Sequence, residues 1–115
     1  MSDQKWLDIG SVTGFTADGH QCFNIGHLSL VVLRVGDRWY AIENRCPHAG
    51  LPLGEGERRG MTLTCPYHGY TYHIGTGRNI DFPDVDPPVR TFPVRVELGR
   101  LQVRVPSDIH PQDQP

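Results

Sequence analysis

The chain has 115 residues, a formal net charge of −2 and well-mixed acidic and basic side chains. That length suits one domain with a modest core and is too short for a catalytic domain plus a carrier domain. No basic run exists to grip phosphate, which argues against nucleic acid as a partner. No segment approaches the roughly 20 apolar residues that span a bilayer, so no membrane association is expected. The opening, MSDQKWLDIG, lacks the apolar run of a signal peptide, and the expected location is cytoplasmic. The three cysteines, Cys22, Cys46 and Cys65, are odd in number and widely spaced, unlike a disulfide framework.

In chain order, LDIGSV (7–12) is the only helical candidate, as a single turn. Cys22 stands alone in HQCFNI and reads as a small buried or half-buried hydrophobe rather than a ligand. LSLVVLRV (28–35) is apolar and β-branched, and RWYAI (38–42) follows a Gly-Asp step. These predict a hairpin with Gly36 at positive φ. The texture then changes: residues 43–88 hold seven of the 13 glycines, with prolines up to the pair Pro87–Pro88. That composition suits loops wrapped around something rather than strands packed on a sheet. VRVEL (94–98) and LQVRV (101–105) predict a second hairpin, its two-residue loop at 99–100 pairing Leu98 with Leu101 and Val96 with Val103. One face of that hairpin is wholly apolar.

No stretch shows an apolar period of 3.6, so the expected fold is all-β, a small antiparallel sandwich or barrel. A single domain is expected over 1–106, with a base of 1–43 and 89–106 and a loop-rich insert at 44–88. The polar, Pro-rich tail 107–115 is expected to be flexible.

Within the insert, CPHAG (46–50) and CPYHGY (65–70) repeat one device: Cys46 with His48, then Cys65 with His68, sixteen residues separating His48 from Cys65. Three chemistries compete for it. Tetrahedral zinc in Cys₂His₂ sites usually takes both cysteines from one loop and both histidines from a helix, and no helix is predicted here. A cysteine nucleophile with a histidine base leaves the duplicate unexplained. A [2Fe–2S] cluster with two thiolates on one iron and two imidazoles on the other uses all four residues and both loops. Glycines beside the motifs let backbone N–H groups approach the sulfurs.

Cys-x-His, a spacer of this length and Cys-x-x-His resemble the Rieske ferredoxin family. WLDIGSV, VVLRVGDRWYAIENRCPH and the GTG at 75–77 extend the similarity from about Trp6 to Val105. The resemblance implies a Rieske-type [2Fe–2S] cluster of Cys₂His₂ ligation, with Cys46 and Cys65 on one iron and His48 and His68 on the other.

Departures from the family pattern refine this expectation. Rieske proteins of respiratory cytochrome bc complexes join their loops by a disulfide whose positions here hold Leu51 and Tyr67. The chain thus resembles the ferredoxins that feed oxygenases. High-potential members place a Ser and a Tyr after the second His, where this chain has Tyr70 and Tyr72. Tyr70 does not replace a Ser donor, while Tyr72 is either a donor to a cluster or cysteine sulfur or a packed aromatic. The expected potential lies towards the low end of the Rieske range of about −150 to +300 mV. His73 reads as a surface residue rather than a fifth ligand, and His20, His27 and His110 as solvent-facing. DVDPP (84–88) is a candidate shielding loop.

The remaining histidines form no plausible pair with an acid for a mononuclear iron. The expected role is therefore a monomeric, non-catalytic carrier of one electron. The resemblance implies an NAD(P)H-dependent flavoprotein reductase as donor and a terminal oxygenase as acceptor, in small, short-lived contacts. Leu51, Pro52, Leu53, Pro66 and Tyr67 form the expected docking rim. Two other readings remain open: an intrinsic relay subunit of a larger reductase, such as a nitrite reductase, and a structural zinc module that only binds partners.

Overall fold

The computed structural model describes residues 4–16, 19–47, 52–67, 69–84 and 87–107. The described residues form ten strands and no helix. In chain order they are β1 (Gln4–Ser11), β2 (His20–Ile25), β3 (Leu28–Val35), β4 (Arg38–Glu43), β5 (Glu57–Arg59), β6 (Thr62–Thr64), β7 (Thr71–His73), β8 (Thr91–Phe92), β9 (Val94–Glu97) and β10 (Arg100–Pro106). They build three sheets, ordered β1-β10-β9, β2-β3-β4-β8 and β5-β6-β7. Every pairing is antiparallel.

β3 organises the molecule because both of its faces are buried. Leu28, Leu30 and Val32 point into one hydrophobic cluster with Leu101, Val103 and Val105 of β10. Val31 and Leu33 point into a second cluster with Cys46, Cys65 and Tyr72. A strand buried on both faces reads as a near-continuous apolar run, and Leu30–Leu33 is that run, flanked by Ser29 and Arg34. β4 divides likewise, with Ala41 in the first cluster and Ile42 in the second. The predicted hairpin forms as expected: Val35 pairs with Arg38, and Gly36 has φ +62°.

Three sequence expectations are corrected. The segment 7–12 is not helical: through Ser11 it belongs to β1, with a bulge between Asp8 and Gly10. The Asp8 carboxylate accepts the Gly10 N–H at 2.9 Å and pairs with Arg100 of β10 at 2.9 Å. The extra residue breaks the alternation that would have marked a strand. The C-terminal hairpin pairs Arg100 with Glu97 and Leu101 with Val96. Its turn is Leu98–Gly99, both at positive φ, rather than 99–100. Shifting a register by two keeps every side chain on its face, so the apolar pattern alone could not choose between the two pairings. Finally, the Gly-rich segment 43–88 contains the β5-β6-β7 sheet. Strands of three residues are too short to show a period.

Candidate metal centre

Cys46 lies just beyond β4, where the chain leaves the central sheet. The exit is fixed by Glu43 N–H donating to Arg90 C=O at 2.8 Å and Asn44 N–H to Ser29 C=O at 2.8 Å. Cys65 directly follows β6. Its N–H donates to Tyr70 C=O at 2.7 Å, and its own carbonyl accepts the Gly69 N–H at 2.9 Å, so the second motif closes into a tight loop. Both thiols are inaccessible to water and share one hydrophobic cluster with Leu53, Leu63, Ile74 and Val89. None of the three cysteines forms a disulfide.

Tyr72, fully buried on β7, places its hydroxyl 3.3 Å from Cys46 Sγ. Tyr72 is thus both packed beneath the loops and within bonding reach of a cysteine sulfur. Once Cys46 is a thiolate, only the phenol can donate in this pair. The Tyr70 ring meets Phe82 edge-on, with centroids 5.3 Å apart.

Two thiols enclosed by apolar side chains, one beside a hydroxyl donor, suit soft metal–sulfide ligation; burying a thiolate requires a cation and hydrogen-bond donors. The residues present therefore fit an iron–sulfur group. His48, His68 and Leu51 lie outside the described residues, as do Val85 and Asp86 of the candidate shielding loop and His110. Among the described residues no three His, Cys, Asp or Glu side chains converge as a metal site.

Several other side chains take places the sequence did not indicate. Cys22 is exposed on β2, not buried, although its sulfur lies against the Gly54 backbone. Desolvation, and then the charge of Glu55, push its thiol pKa up. His20 is half-buried, not solvent-facing: its Nε2 is 2.9 Å from the Gly54 carbonyl, which can only accept. His27 is exposed as expected. His73 is half-buried and uses Nδ1 to accept the N–H groups of Gly75 and Thr76, at 3.1 and 3.2 Å. Leu53 is fully buried and leaves the expected docking rim, where Pro52, Pro66 and Tyr67 are exposed. Beyond that rim, Ile80 and Phe82 are also exposed apolar side chains.

The residues missed altogether are Asn44 and Glu55. Asn44 Oδ1 accepts the Gly54 N–H at 2.7 Å, and Glu55 accepts the Tyr67 hydroxyl at 2.8 Å. That carboxylate pushes the Tyr67 phenol pKa up, chiefly through the hydrogen bond. An Asn two residues before Cys46 was the available signal, since such side chains fasten turns.

Residues 5–93 match the family model described as the Rieske [2Fe-2S] domain. The chain is 31% identical to the anthranilate 1,2-dioxygenase ferredoxin subunit of Burkholderia cepacia, over 88% of this chain and 93% of that protein. It is 32% identical to ferredoxin CarAc of Metapseudomonas resinovorans, over 88% and 94%. Among solved structures, it superposes with a TM-score of 0.78 and 32% identity on a chain from the complex of reduced oxygenase and oxidised ferredoxin in carbazole 1,9a-dioxygenase, covering 85% of this chain and 91% of that one. With the match running through both cysteine motifs and most of the chain, this protein belongs to the Rieske [2Fe–2S] domain family, and its cofactor is one [2Fe–2S] cluster of the Rieske type.

Proposed function

We propose that the chain is a Rieske ferredoxin that carries one electron at a time from an NAD(P)H-dependent flavoprotein reductase to a terminal oxygenase. The observation that carries this reading is likeness over nearly the full length of ferredoxin subunits of dioxygenases, together with likeness to a chain solved in an oxygenase–ferredoxin complex. Cys46 and Cys65 are the proposed ligands of one iron, and His48 and His68 of the other. When bound, the cluster supplies a centre that gains and loses one electron. The chain's own residues set the surroundings: Leu53, Leu63, Ile74 and Val89 exclude water from the thiolate side, and Tyr72 directs a hydroxyl at Cys46. The division into a base of 1–43 and 89–106 and an insert of 44–88 belongs to the same proposal, as do a monomeric state and a cytoplasmic location. Three cysteines without a disulfide suit a reducing compartment.

The test is anaerobic. NAD(P)H with a flavoprotein ferredoxin reductase should bleach the visible absorption, and an oxygenase with its substrate and oxygen should restore it. A colourless protein holding one zinc per chain would end the reading. Turnover only inside a complex that survives purification would instead favour the relay subunit.

Tyr72→Phe keeps the packing and removes one hydroxyl. A hydrogen bond to a thiolate strengthens as electron density on sulfur rises, so it favours the reduced state. A preference of about 1 kcal/mol corresponds to roughly 40 mV for one electron. The midpoint potential of Tyr72→Phe is expected to fall by about that amount in protein-film voltammetry, and an unchanged midpoint would show that the contact carries no such preference.

A further inference from the structure

No disulfide ties the two cysteine-bearing loops together. The structure shows another way of joining them. The turn Leu53–Gly56, which ends the first loop, is closed by Gly56 N–H donating to Leu53 C=O at 2.9 Å. Both backbone polar groups of Gly54 are held, one from the residue just past β4 and one from β2: Asn44 Oδ1 accepts its N–H at 2.7 Å, and His20 Nε2 donates to its carbonyl at 2.9 Å. Asn44 is braced in turn by donating to Ser29 Oγ at 3.2 Å. The turn lies so close to β2 that a Cβ at Gly54 would collide with Cys22 Sγ. Glu55 therefore leaves a backbone whose position is already fixed. Its Oε2 accepts the hydroxyl of Tyr67, which stands between Cys65 and His68 in the second loop, at 2.8 Å.

We propose that Glu55 and Tyr67 form a latch between the two cluster-binding loops, with Asn44 and His20 as its footing on the sheet, all four being positioning residues for the cluster. The proposal rests on Cys46 and Cys65 as ligands. A solvent-exposed hydrogen bond is ordinarily weak, because water competes for both partners. Here the backbone of the acceptor residue is immobilised before the bond forms, so less freedom is lost in making it. Tyr67 is 48% exposed, and its loop is also closed by its own short backbone bonds, Cys65 N–H to Tyr70 C=O and Gly69 N–H to Cys65 C=O.

The test compares holoproteins: the parent, Tyr67→Phe, Glu55→Ala, Glu55→Gln and the double variant Tyr67→Phe/Glu55→Ala. Two rates are read: bleaching by an iron chelator under argon, and amide exchange at Cys65 and Gly69. Tyr67→Phe and Glu55→Ala should each raise both rates about three- to tenfold. The double variant should be no worse than either single one, as two halves of one bond require. Glu55→Gln keeps an acceptor oxygen and should stay within about twofold of the parent. Rates unchanged in Tyr67→Phe, or single effects that multiply in the double variant, would overturn the latch. Should Tyr67→Phe fail to accumulate, the contrast between Glu55→Ala and Glu55→Gln decides alone. A parent without iron–sulfur absorbance would refute the ligand reading instead, and amide exchange would still judge the bond.

Discussion

Cys46→Ser and Cys65→Ser are each expected to yield a protein with no visible absorption and with iron and acid-labile sulfide both near zero, whereas Cys22→Ser should keep all of them. Iron–sulfur clusters depend on thiolates, and a serine hydroxyl is a harder donor that stays protonated near neutral pH. Cys46 and Cys65 are the two cysteines in the buried cluster beneath the loops, and a hydroxyl placed there has no water to fall back on. Cys22 is on β2, exposed, with its sulfur against Gly54. Because metal binding and folding are coupled, the two colourless variants should also unfold at lower denaturant than the parent. Metal analysis and a spectrum of each anaerobically purified variant check the prediction. Bleaching in Cys22→Ser, with colour retained in either of the others, would reverse the assignment of ligands.

The two Cys/His motifs stood out because a mixed thiolate and imidazole set, the proposed ligation, requires particular residue types at fixed spacing, and no packing argument is needed to notice them. The central sheet was legible for a related reason. The 28–35 run is long, β-branched and followed by a Gly-Asp turn, so local and tertiary preferences agree. What escaped was decided by partners distant in sequence. His20 looks like a lone surface histidine until Gly54, 34 residues later, comes within 2.9 Å of it. Leu53 reads as one apolar residue of a loop rim, yet the loop turns it inward to join Leu63 and Ile74. The register of the C-terminal hairpin depended on a Leu98–Gly99 turn, and a leucine at φ +51° is not one that turn preferences suggest. For Tyr72, sequence offered two roles as rivals, and the structure joins them. Burial of the ring is what brings the hydroxyl to the sulfur.

Gly77→Ala is expected to cost at least about 3 kcal/mol of stability, against about 1 kcal/mol for Gly36→Ala. Both glycines have positive φ, +79° at Gly77 and +62° at Gly36, so both substitutions incur the left-handed backbone penalty. They differ in what surrounds the added methyl. At Gly36 nothing lies within 4 Å, while at Gly77 the new carbon would run into the Val89 carbonyl. That carbonyl cannot readily retreat. Val89 N–H donates to Gly77 C=O at 2.8 Å, and Gly77 N–H donates to His73 C=O at 2.7 Å. Val89 itself is buried in the cluster that holds both proposed cysteine ligands. Relieving the clash means moving either the segment around Val89 that leads into β8 or the turn that follows β7, and β7 carries Tyr72. Denaturant unfolding of the two variants separates backbone strain from collision, and the Gly77→Ala protein should also release iron faster to a chelator. Equal losses in the two variants would mean that Val89 gives way cheaply, and that the close approach of these two segments does not hold the floor of the site in place.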